Sequence, residues 1–231
     1  MTALAVIPAR GGSKRILKKN IRPFCGKPMI EWVIDFALTS GFFEKVFVST
    51  DSAEIAQLSV SLGAEVPFLR PENLSDGNTG LMDVIKHSID FFEKKKFEFS
   101  SVTLLYPTAP FIRSEYLAQA MSDIEDNEFA VSVCLYPYPI QRALEINTVQ
   151  KTIEMIDKDF YREGSQDLRK TYHEAGQFIV GQKMAWKTKT PFLDGRTSPV
   201  IIPRYLVQDI DEEEDWVEAE IKFSMLKKMN K

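Results

Sequence analysis

The chain has 231 residues, 44% of them apolar and 27% charged, with 11 Gly and 12 Pro. That length holds one α/β domain with room for a small insertion, and the composition excludes a disordered, collagen-like or wholly coiled-coil chain. Thirty-three acidic residues against 29 basic ones give a net charge of −4, which disfavours a general nucleic-acid binder.

In chain order, the run Leu4 to Pro8 reads as a buried strand and Pro28 to Ser40 as an amphipathic helix, with Met29, Ile30, Val33, Ile34 and Ala37 on one face. A strand is expected at 46–49, a helix at 53–62 ended by Gly63, and a short strand at 65–69. Helix 83–94 carries Val84, Ile85, Ile89 and Phe92 at core spacing, followed by strand 102–106, helix 115–126 and strand 129–135. Strands alternating with helices of this length imply a doubly wound, Rossmann-like α/β fold with a mostly parallel sheet. The alternation breaks at Tyr136. Residues 136–170 are proline-interrupted and then polar, with one alternating segment at 152–156, and read as an excursion from a single domain spanning 1–231. Strand character returns at 177–180 and 200–202, and a final helix over 214–228 places Trp216, Ala219, Ile221, Phe223 and Leu226 on its apolar side. His87, on the third helix, reads as structural, and the tryptophans as core.

Two cysteines, Cys25 and Cys134, are too few for a disulfide framework or a zinc site and read as reduced thiols. The apolar stretch 3–9 has no charged region before it, and no run is long enough to span a membrane. The expectation is a cytoplasmic protein with no membrane partner.

Two segments carry chemistry. The first is P-A-R-G-G-S-K-R-I-L-K-K-N at 8–20. The loop after the first strand of a doubly wound sheet lies at the carboxyl edge, where ligands bind. Gly11 and Gly12 allow close backbone approach and suit phosphate oxygens. Arg10, Lys14, Arg15, Lys18 and Lys19 concentrate five cations there in an otherwise acidic chain. The competing reading is a solvated basic turn, and the glycine pair directly after a buried strand favours phosphate. Neither the P-loop nor the dinucleotide glycine fingerprint is present. The second segment is V-Q-D-I-D-E-E-E-D-W at 207–216. Asp209 and Asp211 are two apart, so in extended chain their carboxylates face one side and suit Mg²⁺. The acids that follow open a helix, where negative charge is favoured, and Asp211 is also a candidate N-cap for it.

These segments, with V-S-T-D at 48–51, F-L-R-P-E-N-L-S-D at 68–76, L-Y-P-T-A-P-F at 105–111 and Q-D-I-D at 208–211, resemble the cytidylyltransferases that activate nine-carbon acidic sugars, the CMP-N-acetylneuraminic acid synthetase family. Y-P-I-Q-R-A-L at 138–144, S-Q-D-L at 165–168 and Y-H-E-A-G-Q-F at 172–178 are most similar to the branch acting on pseudaminic acid. Sialic, legionaminic or 3-deoxy-manno-octulosonic acid is the nearest alternative substrate, and a non-catalytic nucleotide-binding module the further one. The resemblance implies a reaction of CTP with the acid that releases pyrophosphate and supplies surface glycan or flagellin glycosylation. It implies Arg10, Lys19 and Asp211 as catalytic. It places the nucleotide against Ala9, Arg10, Gly11, Gly12, Ser13, Lys14, Lys19, Asn20, Arg70, Ser75, Asp76 and Thr79. It places the sugar against Tyr106, Thr108, Gln141, Arg142, His173 and Gln177, with Arg142 or His173 as partner of the sugar carboxylate. Asp209 and Asp211 are the implied Mg²⁺ ligands. The 136–170 excursion is the implied dimerisation insertion of a homodimer.

Overall fold

The computed structural model describes residues 2–76, 79–188, 191–193 and 196–229. The apolar run Ala3–Pro8 forms β1, whose first five residues are buried, as expected of a strand covered on both faces. A two-residue ladder of β2 (Pro23–Phe24) and β3 (Lys27–Pro28) follows, then α1 (Met29–Thr39), β4 (Lys45–Ser49) and α2 (Ala53–Ser61). After these come α3 (Leu81–Lys94), β5 (Ser101–Leu105), α4 (Ser114–Asp123) and β6 (Phe129–Leu135). The second half adds β7 (Leu144–Asn147), β8 (Thr152–Met155), β9 (Tyr172–Gln182), α5 (Lys183–Thr188), β10 (Thr197–Ile201) and α6 (Glu213–Met229).

The main sheet has six strands in the order β10-β6-β9-β5-β1-β4. Only β9 runs against its neighbours; β1 pairs parallel with β4 and β5, and β6 with β10. Alternate residues of β1 feed two cores. Ala5 and Ile7 join Val33 and Ile34 of α1 and Leu117 of α4, whereas Leu4 and Val6 join Ile85 and Ile89 of α3 and Trp186 of α5. The fold is therefore the doubly wound α/β arrangement expected. The chain goes from β1 out to β4 and then crosses back to β5 on the other side of β1, so a topological switch point opens at the carboxyl ends of β1 and β5. A third apolar cluster, with Ile16, Phe24, Phe111, Ile210 and Trp216, fastens α6 beside that opening.

Several expectations need correction. The strand expected at 65–69 is a single bridge, Phe47 to Glu65, because Pro67 has no N–H to extend the ladder. Ile221 is 58% exposed: Trp216, Ala219 and Phe223 form the buried stripe of α6, and residue 221 falls off it. Strand β9 is far longer than 177–180, β7 alternates for only four residues, L-E-I-N, and the six-residue α5 is too short to give a helical period. Cys25 and Cys134 are free thiols. No helix among the described residues is long and apolar enough to cross a membrane.

Between residues 136 and 170 the chain leaves the sheet and forms the β7–β8 hairpin, with Leu144 opposite Met155 and Ile146 opposite Ile153. Opposed residues share a face, so these four side chains make one apolar side of an amphipathic ribbon. Residues 158–162 flank part of that side beside Leu144, Ile153 and Met155, but Ile146 is still 67% and Ile153 61% exposed.

Candidate active site

The chain leaves β1 at Pro8, and Ala9 N–H still donates to Ser49 O at 2.9 Å. The two glycines that follow divide the work. A Cβ on Gly11 would lie 2.9 Å from the Cβ of Ser52, whereas one on Gly12 would meet nothing within 4 Å. Gly11 is needed for close approach to the start of α2; Gly12 faces open space. The Gly11 N–H donates to Asp51 Oδ1 at 2.8 Å and the Ser13 N–H to Gly11 O at 3.0 Å. The expected phosphate cradle therefore loses two of its N–H groups to the loop's own architecture, which leaves those of Gly12 and Lys14. Ile16 is fully buried and pins the loop, and the largely buried Asn20 donates from Nδ2 to Arg10 O at 3.0 Å.

Beneath the loop, at the carboxyl ends of β1 and β5, lies a cleft of about 700 Å³. Of the five loop cations, Arg10, Lys14, Arg15 and Lys19 line it. Lys18 does not; its backbone turns through φ 52° and its ammonium pairs with Glu54 at 2.8 Å on the outer surface.

Asp209 and Asp211 both line the cleft, while Ile210 between them is buried in the third cluster, the alternation expected of extended chain. Asp211 is not the cap of α6. Asp215, in the first turn of the helix, reaches back and accepts from the N–H groups of Asp211 at 2.9 Å and Glu212 at 2.8 Å, which precede it. The Asp211 carboxylate turns instead to Arg15 at 2.7 Å and Lys19 at 3.2 Å, and the Lys19 ammonium also donates to Ile210 O. Burial alone would raise the Asp211 pKa, but Lys19 and Arg15 outweigh it and hold it below the usual carboxylate range. Asp209 is raised, first by burial and then by the neighbouring Asp211 charge. Two carboxylates, one of them carrying an ill-compensated charge at a cleft wall, fit a hard divalent cation that takes its remaining oxygens from substrate and water. Among the described residues no set of three or more His, Cys, Asp or Glu side chains forms a metal cage.

The Arg70 side chain is only 4% exposed yet lines the cleft; its Nε donates to Ser75 Oγ at 3.1 Å, and an Nη lies 3.8 Å from Asp51 Oδ1. Burial lowers its pKa, and the Asp51 charge counters that. Asp51 thus joins the glycine loop to the buried arginine. Sequence reasoning passed over it, although V-S-T-D follows the second sheet strand, where a carboxyl-edge residue was to be expected. Ser75 and Thr79 line the cleft, whereas Asp76 is exposed and does not; it accepts from the Thr79 hydroxyl at 2.9 Å.

The sugar-side residues are brought together only in part. Tyr106 and Thr108 line the cleft; Gln141, Arg142, His173 and Gln177 do not. Gln177 is buried, with its Nε2 donating to Leu206 O at 2.6 Å. His173 stacks on Tyr136 with ring centroids 4.8 Å apart. Gln141 and Arg142 donate to the carbonyls of Arg169 and Glu163 inside the 136–170 excursion, at 3.0 and 2.5 Å. Burial, followed by the nearby Glu174 and Asp209 charges, pushes the Tyr106 phenol well above its ordinary pKa.

A concentrated positive cleft, faced by paired carboxylates at the switch point of a parallel sheet, is built for nucleoside triphosphate chemistry. The profile of the cytidylyltransferase family matches residues 4–167, and the chain belongs to that family. It is 38% identical to the pseudaminic acid cytidylyltransferase of Campylobacter jejuni over 97% of both chains. It is 47% identical to the CMP-N,N′-diacetyllegionaminic acid synthase of Legionella pneumophila over 52% of each. Its fold matches a CMP:2-keto-3-deoxy-manno-octonic acid synthetase solved with CTP, with a TM-score of 0.71 at 17% identity over 97% of this chain and 99% of that one.

Proposed function

We propose that this protein transfers the cytidylyl group of CTP to pseudaminic acid, giving CMP-pseudaminic acid and pyrophosphate. The observation carrying this reading is the end-to-end similarity to the C. jejuni enzyme, on a chain whose cleft is lined by Arg10, Lys14, Arg15, Lys19, Asp209 and Asp211. The anomeric hydroxyl attacks the α-phosphorus in line; the new P–O bond forms as the bond to pyrophosphate breaks. Positioning and charge stabilisation dominate such a displacement. Arg10, Lys14 and Lys19 hold the triphosphate and stabilise the charge that gathers on the leaving group, with Gly12 and Lys14 N–H groups beside them. Asn20, Arg70 and Ser75 lie on the nucleoside side, and Tyr106 and Thr108 on the acid side. Asp209 and Asp211 would hold Mg²⁺, which supplies charge neutralisation on phosphate oxygens. The expected setting is cytoplasmic.

Incubation of the purified protein with CTP, Mg²⁺ and a panel of nonulosonic acids tests this. Pyrophosphate release is expected with pseudaminic acid above all others. Release with sialic, legionaminic or 3-deoxy-manno-octulosonic acid instead would overturn the choice of sugar, and no release with any acid would leave the binding module. Within that assay, Gly11→Ala is expected to lower kcat/KM for CTP roughly 10- to 100-fold, because the added Cβ displaces the loop from Ser52 and Asp51. A Gly11→Ala enzyme with wild-type kcat/KM would refute the close-approach role.

The apolar side of the β7–β8 ribbon is read as the contact with a second copy of the chain, because an isolated two-stranded hairpin is marginal in water and among the described residues Leu144, Ile146 and Ile153 stay more than half exposed on this one. Light scattering should give about twice the 26.4 kDa chain mass. The double variant Ile146→Asp, Ile153→Asp should give the monomer; a dimer that survives it places the interface elsewhere.

A further inference from the structure

Two loops of the cleft meet at the carboxyl end of β4. Ala9 N–H donates to Ser49 O at 2.9 Å, and Arg70 N–H donates to Thr50 O at 2.7 Å. Backbone bonds therefore bring the glycine loop and the Arg70 segment to adjacent residues. Asp51, the next residue, adds a side-chain tie to each through a single oxygen. Its Oδ1 accepts from Gly11 N–H at 2.8 Å and lies 3.8 Å from an Nη of Arg70. Asp51 does not itself line the cleft, whereas Arg70 and the loop residues Arg10, Ser13 and Lys14 do. The Arg70 side chain is 4% exposed and that of Asp51 29%, so it is the guanidinium that has left water and needs a charge of opposite sign beside it. Its other edge is held by Ser75, which accepts from Nε at 3.1 Å.

A carboxylate is a poor neighbour for a triphosphate, because like charges repel, and this one also takes an N–H that a phosphate oxygen could use. Its place calls for a role that outweighs both losses. We propose that Asp51 is a positioning residue for the nucleotide: through one oxygen it sets the glycine loop and the Arg70 guanidinium in fixed relation, so that the phosphate and nucleoside sides of the cleft form one frame before CTP arrives. This rests on the nucleotide reading of the cleft. A frame ordered in advance spares binding the entropy of ordering a loop and a long side chain. Because the two backbone bonds remain when the carboxylate is changed, the loops stay where they are and only their fine placement is lost.

Titration calorimetry with CTP, with no acid substrate present, tests the proposal by the sign of the effect. Were Asp51 only a negative charge beside the phosphates, Asp51→Asn would tighten CTP binding. The frame requires the opposite: about tenfold weaker binding, because the amide keeps an oxygen for Gly11 N–H but no charge for Arg70. Asp51→Ala loses both ties and should weaken binding about a hundredfold. In an Arg70→Met background, Asp51→Asn should change Kd for CTP by less than about twofold, because the charge it removes has lost its partner. Asp51→Ala should still weaken binding there, through the loop tie alone. In turnover assays with the acid that the wild-type enzyme uses, Asp51→Asn should leave KM for the acid within about twofold, a split that general loosening of the fold would not give. Unchanged or tighter CTP binding by Asp51→Asn, an equal rise in KM for the acid, or a loss that persists in full without Arg70 would each overturn the proposal. A wild-type chain that binds no CTP would overturn the nucleotide reading, and the proposal with it.

Discussion

Asp211→Asn is expected to slow pyrophosphate release about a hundred- to a thousandfold while the protein unfolds at nearly the wild-type temperature. The catalytic loss follows from the proposed role of the carboxylate: paired with Lys19 and Arg15, it would set those cations against the phosphates and would be one of two acids to hold a divalent cation. The small stability cost follows from where it sits. Its side chain is 38% exposed, and ion pairs at that exposure contribute about 0–1 kcal/mol. Because the Asp211 carboxylate bonds to Lys19 and Arg15 and not to the first N–H groups of α6, the substitution leaves the helix start intact. Asp209→Asn should give a comparable loss of rate. Measuring kcat alongside thermal unfolding separates the two effects; a near-normal rate in Asp211→Asn would remove it from the machinery, and a large fall in melting temperature would make its role structural.

Trp186→Ala is expected to cost about 3–5 kcal/mol of stability, the range for truncating a large buried aromatic. Trp186 is fully buried on α5, packs edge-to-face on Phe129 with centroids 5.0 Å apart, and donates from Nε1 to Val102 O at 3.0 Å in the strand next to β1. Gly181 makes room for it: a Cβ there would fall 2.5 Å from Trp186 Nε1 and 2.6 Å from the Phe129 ring. Trp186→Phe keeps more of the volume but leaves the Val102 carbonyl without this donor, so a smaller loss is expected. Urea unfolding with an unchanged m-value would check both; a loss under about 1 kcal/mol for Trp186→Ala would mean that α5 is not integral to the second core.

The parts of the site legible from the residues are those carried by short, local patterns. A glycine pair after a buried strand, a burst of cations and two aspartates in alternation each have a reason that needs no distant partner. The sugar wall was less legible because its residues depend on register. Gln177 lies on β9 beside a register shift, and it turns into the core and donates to Leu206 O. Asp51 was missed for a related reason: its partners, Gly11 and Arg70, come from loops after β1 and beyond β4.

By itself the sequence determined the alternation of strands and helices, hence the parallel sheet and its carboxyl-edge site, because apolar periodicity is a local property of the chain. It also determined the sign of the cleft, since charges so close together along a loop cannot be far apart in space. Only the tertiary structure decided which cations face the cleft, sending Lys18 outward to Glu54 and Lys19 inward to Asp211. Only it reversed β9 and opened its bulge, because strand pairing is settled by long-range hydrogen bonds that no window of sequence contains. And only it turned the Asp211 carboxylate to Arg15 and Lys19 and not to the N–H groups that open α6, because those cations come from a loop almost two hundred residues away in sequence.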